Sequence, residues 1–544
     1  MLGRMMDVPL TLGAVLRRAE TAFGDREVVT RAGAGPERRT TYAGVAGRAR
    51  RLSSGLVRLG LRPGDRVATL CMNHDRHLEL YFAVPAMGGV LHTLNPRLPP
   101  DDLALIVGDA GDRAIVVDAG LLPVLDALRE RIDPGTVIVV GDRDGAPPDA
   151  LDYEEVLAAG APDAAAAPEP DERRAAFLCY TSGTTGSPKG VLFSHRALVL
   201  HSLVSALGDA FDVRESDTVM PIVPMFHVNA WGLPFTCALV GARQVLPGPR
   251  LDPERVLDAI AAERVTIAAG VPTVWLGVLA ALDAAADRYD VTSVRTLLVG
   301  GAAAPLALIE AFERRHGIPV VHAWGMTELT PLGTVSRLPP DLAGAGDDER
   351  HRLRAKQGRA IPFVEMRARG DDGLVPHDGT AMGELEVRGP WVAAGYFGGR
   401  GGSECFTDDG WFRTGDIVTI DERGFMEITD RDKDLVKSGG EWISSVALEN
   451  ALMGHPDVAE AAVVAIPHPR WLERPLAVVV LRDGARARPP ELIDHLRPAF
   501  PRWWLPDAVE LVDALPRTAT GKFKKSELRA RFAEAYSAPR AVEP

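Results

Sequence analysis

Short apolar runs rich in β-branched residues alternate with segments of helical period through the first half of the chain. Residues 67–70, 114–117 and 137–140 have the length and composition of buried strands, and helical patterns near 78–87 and 121–131 separate them. Strands that are apolar on both faces, with a helix between each pair, predict βαβ units and a doubly wound parallel sheet. A second series repeats the rhythm, with strands over 268–271, 296–299 and 320–321 and a helix over 305–316. Beyond Gly383 the pattern changes to short strands with glycine turns. From about Arg431 a smaller α+β unit is expected, with helices over 446–453 and 491–500 and strands over 461–466 and 477–481.

Residues 160–174 are rich in Ala, Pro, Asp and Glu and lack an apolar face, which predicts an exposed connector within the larger unit. Two long uncharged stretches, 218–242 and 265–282, are interrupted by Pro221, Pro224 and Pro234 and by Gly270 and Pro272, so neither predicts a membrane-spanning helix. Asp7 and Pro9 break the N-terminal segment before an apolar signal region can form, so no signal peptide is expected. No internal repeat of solenoid or propeller type is present.

Composition narrows the class further. With 46% hydrophobic and 25% charged residues in 544, the chain is globular in composition and long enough for several domain equivalents. Its 61 basic and 74 acidic residues give a net charge of −13 with no long run of like charges, which argues against a nucleic-acid partner. Cys71, Cys179, Cys237 and Cys405 lie far apart without a C-x-x-C spacing, which argues against a disulfide framework or a structural zinc site and suits a reducing cytoplasm.

Seven lysines stand against fifty-four arginines, so the lysine positions carry information. Lys189, Lys433, Lys437, Lys522, Lys524 and Lys525 sit in or beside glycine-containing segments, and only Lys356 lies elsewhere. A compact ammonium acts as a point charge on phosphate or a developing oxyanion, in places a planar guanidinium does not fit.

The strongest local signal follows the apolar run 176–180. In Thr181-Ser182-Gly183-Thr184-Thr185-Gly186-Ser187-Pro188-Lys189-Gly190, glycines let backbone approach an oxyanion, hydroxyls donate, and Lys189 supplies charge. The spacing is not that of a Walker A loop. Because Val191-Leu192-Phe193 reads as a strand, the loop is expected to join two strands and not to cap a helix. Taken alone, a Gly/Ser/Thr loop is equally compatible with a simple hairpin turn.

This loop resembles the signature of the adenylate-forming superfamily, and further motifs follow in that superfamily's order. They are Pro224-Met225-Phe226-His227-Val228-Asn229-Ala230-Trp231-Gly232, Ala323-Trp324-Gly325-Met326-Thr327-Glu328, Gly383-Glu384-Leu385-Glu386-Val387-Arg388-Gly389 and Phe412-Arg413-Thr414-Gly415-Asp416. Asp430-Arg431-Asp432-Lys433-Asp434, Lys437-Ser438-Gly439-Gly440-Glu441-Trp442 and Pro516-Arg517-Thr518-Ala519-Thr520-Gly521-Lys522 complete the set. Nearly the whole chain is covered. Within the superfamily it is most similar to medium- and long-chain fatty acyl-CoA synthetases, including the methylmercaptopropionate-CoA ligase type.

The resemblance implies an AMP-forming acid:CoA ligase. Such enzymes join a carboxylate to the α-phosphate of ATP, expel pyrophosphate, and let the thiol of CoA attack the acyl adenylate. Two anions must meet, so cations and donors have to be aimed at the reacting phosphorus. By resemblance, Thr181, Ser182, Gly183, Thr184, Thr185, Gly186 and Lys189 hold the terminal phosphates, Thr184 and Glu328 stand near Mg2+, and Thr327 meets the α-phosphate. The segment His322, Ala323, Trp324, Gly325 and Met326 borders the adenine, on which Trp324 stacks, and Asp416 and Arg431 hold the ribose. Lys522 is the cation that bridges carboxylate and α-phosphate, so the implied catalytic set is Lys522, Thr327, Glu328 and His227. His227, Trp231 and Ala302 border the acyl group, although Trp231 on its own reads more readily as a core tryptophan.

The implied fold is α/β: a large N-terminal domain, 1–431, of two doubly wound subdomains plus a distorted β-barrel, and a small mobile α+β C-terminal domain, 432–544. Lys433 occupies the hinge position, and rotation there would exchange Lys522 for a thiol channel at Lys437, Gly439, Gly440, Glu441 and Trp442. ATP, Mg2+, CoA and a small carboxylic acid are the implied ligands, and similar synthetases commonly form homodimers. The glycine-rich segment 396–407 departs from the family pattern and is expected to alter only a surface loop. Two rivals stay open on the residues alone: an adenylating ligase that does not use CoA, such as a nitrite-activating diazotase or an amide-forming ligase, and a non-catalytic nucleotide sensor on the same fold.

Overall fold

The structure, a computed structural model, describes residues 3–31, 37–161, 170–181, 188–342, 344–399, 402–431, 433–438, 441–517 and 523–536. Two sheets with parallel cores form the body. In the first, strands run in the order Leu151–Asp152, Thr136–Val140, Ala114–Asp118, Arg66–Leu70, Val90–Thr93, Ala175–Tyr180 and Gly190–Ser194, parallel except for the last pair. In the second, a parallel core of Val320–Gly325, Thr296–Val299, Ile267–Gly270, Thr218–Pro221, Arg243–Leu246 and Glu27–Thr30 is flanked by antiparallel edges. Val90–Thr93, Ile267–Gly270 and Thr296–Val299 are buried at every position. That burial is the reason the last two stand out as strands in the sequence, since helices cover both faces of such sheets, whereas Val90–Thr93 also buries His92 and Thr93.

The helices start on local signals. Thr41 accepts from Gly44 N–H at the start of Tyr42–Arg58, Ser194 accepts from Ala197 N–H at the start of His195–Ser205, and the His74 ring does the same for His77 at the start of Asp75–Ala86. Each caps a donor that the helix itself leaves unpaired. The uncharged stretches resolve as the sequence suggested: 218–242 holds a strand and two short helices, and 265–282 holds Ile267–Gly270 and the start of helix Pro272–Ala284. No helix among the described residues is long and apolar enough to cross a membrane. All four cysteines are free thiols.

The part expected as a distorted barrel is a five-stranded antiparallel sheet in the order Gly373–Leu374, Glu365–Gly370, Gly383–Arg388, Phe412–Ile420 and Met426–Arg431. Beyond it, Val458–His468 and Leu472–Leu481 form a long hairpin that Ala508–Leu511 joins in parallel, packed by helices Ser445–Met453 and Pro489–Leu496. Two hydrophobic clusters in this region contain only residues from Val436 onward, so the C-terminal unit has its own core. It is tied back to the strand before it: Ser445 N–H donates to Asp430 Oδ2 at 2.6 Å, and the Ser444 hydroxyl donates to the Thr429 carbonyl.

Candidate active site

A cavity of about 1260 Å³ opens where the three sheets of the large unit converge. Its floor comes from the carboxyl ends of the parallel strands: Ile222 follows Thr218–Pro221, Gly270 and Val271 end the next strand, and Gly300 and Gly301 follow Thr296–Val299. Gly325 and Met326 sit at the end of Val320–Gly325 in the same way. Loops at these ends are where an open α/β sheet leaves room for a ligand. Thr181 and Lys189 enter from the other parallel sheet, and Thr414, Gly415, Arg431 and Lys433 from the antiparallel sheet and the residues after it.

The neck of the loop 181–190 is a hairpin, as its flanking strand pattern predicted. Tyr180 pairs with Gly190, Thr181 N–H donates to the Lys189 carbonyl at 2.9 Å, and Lys189 N–H donates to Thr181 Oγ1 at 3.1 Å. Ser182, Gly183, Thr184, Thr185 and Gly186 lie outside the described residues, as do Lys522, Gly439 and Gly440. Lys189 reaches the cavity wall, where its ammonium stands 4.8 Å from the ring centre of Tyr396 and 3.6 Å from Glu404 Oε1.

Glu328 follows the strand that carries Trp324 and is 6% exposed. Its Oε1 accepts the Tyr396 hydroxyl at 2.8 Å. Burial pushes the carboxyl above its ordinary range, and the Tyr396 hydroxyl only partly opposes that shift. Thr327 lines the cavity beside it. Tyr396 was missed in the sequence, where its segment was expected to affect a surface loop only; the structure brings it to the cavity wall. No local pattern could have found it, because the contact spans 68 positions.

Trp324 lines the cavity yet is only 7% exposed, with its ring packed so tightly on Gly333 that a Cβ there would stand 2.5 Å from Cζ3. Its indole N–H donates to Asp416 Oδ2 at 2.9 Å, while Arg431 Nε lies 3.2 Å from Oδ1. Asp416, 3% exposed, therefore sits just behind the lining, held by two donors, in cross-strand register with Arg431. Ala323, Gly325 and Met326 line the cavity as well.

His322 and Ala302 are also absent from the cavity lining. His322 Nδ1–H donates to the Ala355 carbonyl at 2.9 Å and Nε2 accepts Ala304 N–H at 3.3 Å, so both ring nitrogens are spent on backbone. Burial holds this imidazole below its ordinary pKa and hence neutral. Ala302 is exposed and lies outside the lining, which its neighbours Gly300 and Gly301 supply instead.

The segment 228–232 adopts an unusual backbone. Val228, Asn229, Ala230 and Trp231 have φ of 43°, 55°, 50° and 57°, a left-handed turn built from four L-residues, and Gly232 follows at 73°. Such a conformation costs roughly 1–2 kcal/mol per residue. Neighbours hold it in place: Asn73 clamps the preceding strand end through Pro221 O, Val223 O and Met225 N–H, and Cys179 Sγ approaches Asn229 Oδ1 at 3.5 Å. Gly232 must be glycine on two counts, since a Cβ there would also lie 2.7 Å from the His201 ring. The turn delivers His227 and Trp231 to the cavity, with the Trp231 ring over Gly300.

Lys433 lies at the cavity rim, where partial burial and then the neighbouring Arg431 lower its pKa. Lys437 and Trp442 face each other across strands Val436–Ser438 and Glu441–Ile443, away from the lining; Glu441 belongs to the latter strand. Two lysines that seemed informative are engaged inside the C-terminal unit. Lys525 Nζ pairs with Glu449 Oε1 at 2.7 Å, and Glu449 and Asp430 raise its pKa against the effect of burial; Lys524 pairs with Glu527 at 3.5 Å. Elsewhere, Cys71, His74 and Asp118 bring ligand atoms within 4.8 Å of one another. Both His74 nitrogens and both Asp118 oxygens there already have protein partners.

These features are those of enzymes that bind a nucleotide across the ends of two parallel sheets, and the comparisons agree. Residues 16–397 match the family model described as AMP-binding enzyme, and 447–522 match the AMP-binding enzyme C-terminal domain. The chain belongs to the AMP-binding enzyme family. It is 51% identical to a long-chain-fatty-acid–CoA ligase of Thermus thermophilus, over 98% of this chain and 97% of that protein. It is 44% identical to a 3-methylmercaptopropionyl-CoA ligase of Ruegeria lacuscaerulensis, over 99% and 100%. Among solved structures, the anthranilate CoA ligase AuaEII in complex with anthranoyl-AMP matches with a TM-score of 0.87 at 26% identity, over 98% and 99%.

Proposed function

We propose that this ATP-dependent, AMP-forming acid:CoA ligase activates a medium- or long-chain carboxylate as its acyl adenylate and passes the acyl group to CoA. The observation that carries the reading is one continuous cavity with two kinds of wall. Apolar residues follow the left-handed turn at Trp231, and charged and hydroxyl residues gather at Lys189, Thr327 and Glu328. An aliphatic tail suits the first wall and a triphosphate the second, and the junction between them is where carboxylate and α-phosphate have to meet.

In this reading Lys189 and the loop before it hold the terminal phosphates, Thr327 steadies the α-phosphate, and Asp416 takes the ribose hydroxyls with the oxygen lone pairs that Trp324 and Arg431 leave open. Glu328, with Thr184, would hold Mg2+, and a buried carboxylate facing a polar cavity wall is the hard oxygen donor such an ion prefers. The ion would supply charge neutralisation on the phosphates. Lys522 would bridge the two reacting anions in the first half-reaction. The separate C-terminal core supports a domain boundary near 431/432 with Lys433 as hinge. Turning there would bring 437–442 to the cavity for thiol transfer.

The test is pyrophosphate release from ATP and Mg2+ with acetate, octanoate, palmitate, an aryl acid, and nitrite with an aromatic amine, each with and without CoA. Acyl-CoA formed from octanoate or palmitate, with AMP in equal amount, is the expected result. Turnover confined to nitrite and amine, or independent of CoA, would overturn it.

A further inference from the structure

Tyr396 stands between two groups of opposite charge. Its hydroxyl donates to Glu328 Oε1 at 2.8 Å, and Lys189 Nζ lies over its ring, 4.8 Å from the centre. The segment that carries Tyr396 is fastened to the segment that carries Glu328. Ala393 N–H donates to the Glu328 carbonyl at 2.7 Å, the Thr330 hydroxyl donates to the Trp391 carbonyl at 2.7 Å, and Trp391 Nε1–H donates to the Leu332 carbonyl at 3.1 Å. The tyrosine's segment is thus fastened to the backbone of the glutamate it contacts and to the residues that follow it.

Lys189 pairs with Glu404 at 3.6 Å and forms no ion pair with Glu328. Both side chains nevertheless line one cavity. In a partly dry site, opposite charges that can reach each other will pair, and a Lys189–Glu328 pair would have to be broken before phosphate or metal could bind. The ring contacts the ammonium while the hydroxyl of the same side chain contacts the carboxylate. It also gives the ammonium a favourable, easily surrendered resting position, because a cation over an aromatic face is attracted without being neutralised.

We propose that Tyr396 is a positioning residue for adenylation: its hydroxyl orients the Glu328 carboxylate, and its ring keeps Lys189 and Glu328 apart, so that both are available when the nucleotide arrives. The inference rests on the assignment of Glu328 to the metal and of Lys189 to the phosphates. It separates two contributions of one side chain, the hydroxyl acting through Glu328 and the ring acting through Lys189.

The experiment is calorimetric titration of the full chain with an ATP analogue carrying a methylene bridge between the α- and β-phosphorus, with and without Mg2+. It compares wild type, Tyr396→Phe, Tyr396→Ala, Glu328→Gln and the double variant Tyr396→Ala/Glu328→Gln, and melting curves check that each is folded. Tyr396→Phe is expected to keep its metal-free affinity and to lose about tenfold of the Mg2+ enhancement, the scale of one hydrogen bond to a charged group. Tyr396→Ala is expected to lose about fivefold in metal-free affinity as well, and the double variant to regain it, because the carboxylate that captures Lys189 is gone. An unchanged Mg2+ enhancement in Tyr396→Phe, or no recovery in the double variant, overturns the proposal. If Glu328→Gln itself keeps the full enhancement, the metal assignment has failed and the inference falls with it; if Glu328→Gln loses the enhancement and Tyr396→Phe does not, Tyr396 alone has been misread.

Discussion

The indole N–H of Trp324 donates to Asp416 Oδ2 at 2.9 Å, joining the end of a parallel strand to an antiparallel sheet 92 positions later. With Arg431 on the other oxygen, the carboxylate is oriented before any nucleotide arrives. Trp324→Phe keeps the ring and removes the donor, so it should weaken ATP binding about tenfold, the scale of one hydrogen bond to a charged group. Binding of 2′,3′-dideoxy-ATP should change little, because the loss acts through the ribose hydroxyls. Equal losses for the two nucleotides in calorimetry would assign Trp324 to the base and not to Asp416.

Lys522→Ala should abolish pyrophosphate release while leaving ATP affinity within about threefold, since a group that bridges the reacting anions matters most in the transition state. An unchanged turnover rate would remove Lys522 from the reaction.

Gly300 carries the Trp231 ring at close range: a Cβ there would stand 3.1 Å from Cη2 and 2.9 Å from the Ala323 carbonyl oxygen. Gly300→Ala must therefore shift the Trp231 ring or the Ala323 carbonyl by a few tenths of an ångström. The expected outcome is a KM for palmitate raised by about tenfold, with the KM for ATP unchanged, since a misplaced wall costs binding at the tail alone. A rise for both substrates would place Trp231 away from the acyl path.

His77 and His201 are buried, and burial lowers each pKa to about 3. Between that value and the ordinary 6.5 the unfolded chain binds a proton at each site that the native chain does not. Stability should therefore rise with pH across this window and fall as pH drops below about 6, by roughly 1.4 kcal/mol per pH unit for each histidine. Urea melts at pH 7, 6 and 5 would measure the slope, and a flat profile over that range would contradict the buried neutral state.

Lys525 and Glu449 form a buried pair at 2.7 Å within the C-terminal core. Lys525→Met leaves that carboxylate without its cation, which typically costs about 3–5 kcal/mol. The C-terminal unit should become protease-sensitive at a lower temperature than the large unit, and Lys525→Arg should recover part of the loss. Equal sensitivity of both units would show that the pair does not stabilise the C-terminal core.

The strands of the large unit were legible because burial on both faces writes an uninterrupted apolar run; Thr296–Val299 begins and ends where its pattern does. The hairpin Val458–His468 and Leu472–Leu481 runs past its apolar segments, because Pro467, Glu473 and the buried Arg474 continue the pairing where polar residues and a proline end the apolar run. The motifs likewise marked the cavity residues Lys189, Trp324, Thr327 and Glu328. His322 was misread, because a histidine beside a nucleotide motif looks the same in sequence whether its nitrogens face a ligand or, as here, two backbone groups. The left-handed turn at Val228–Trp231 left no trace, since none of its four residues is a glycine and the neighbours that hold it, Asn73 and Cys179, lie far away in the chain.

By itself, then, the order of residues determined the layered α/β body, the separate C-terminal unit and the family, because these depend on periodicity, capping and contiguous motifs, which act over a few residues. Tertiary structure alone decided that Tyr396 meets Glu328 across 68 positions and Trp324 meets Asp416 across 92. The physical reason is range: backbone sterics and side-chain period are local, whereas a hydrogen bond between distant strands exists only after three sheets have packed and the carboxyl ends of their strands have been brought around one cavity.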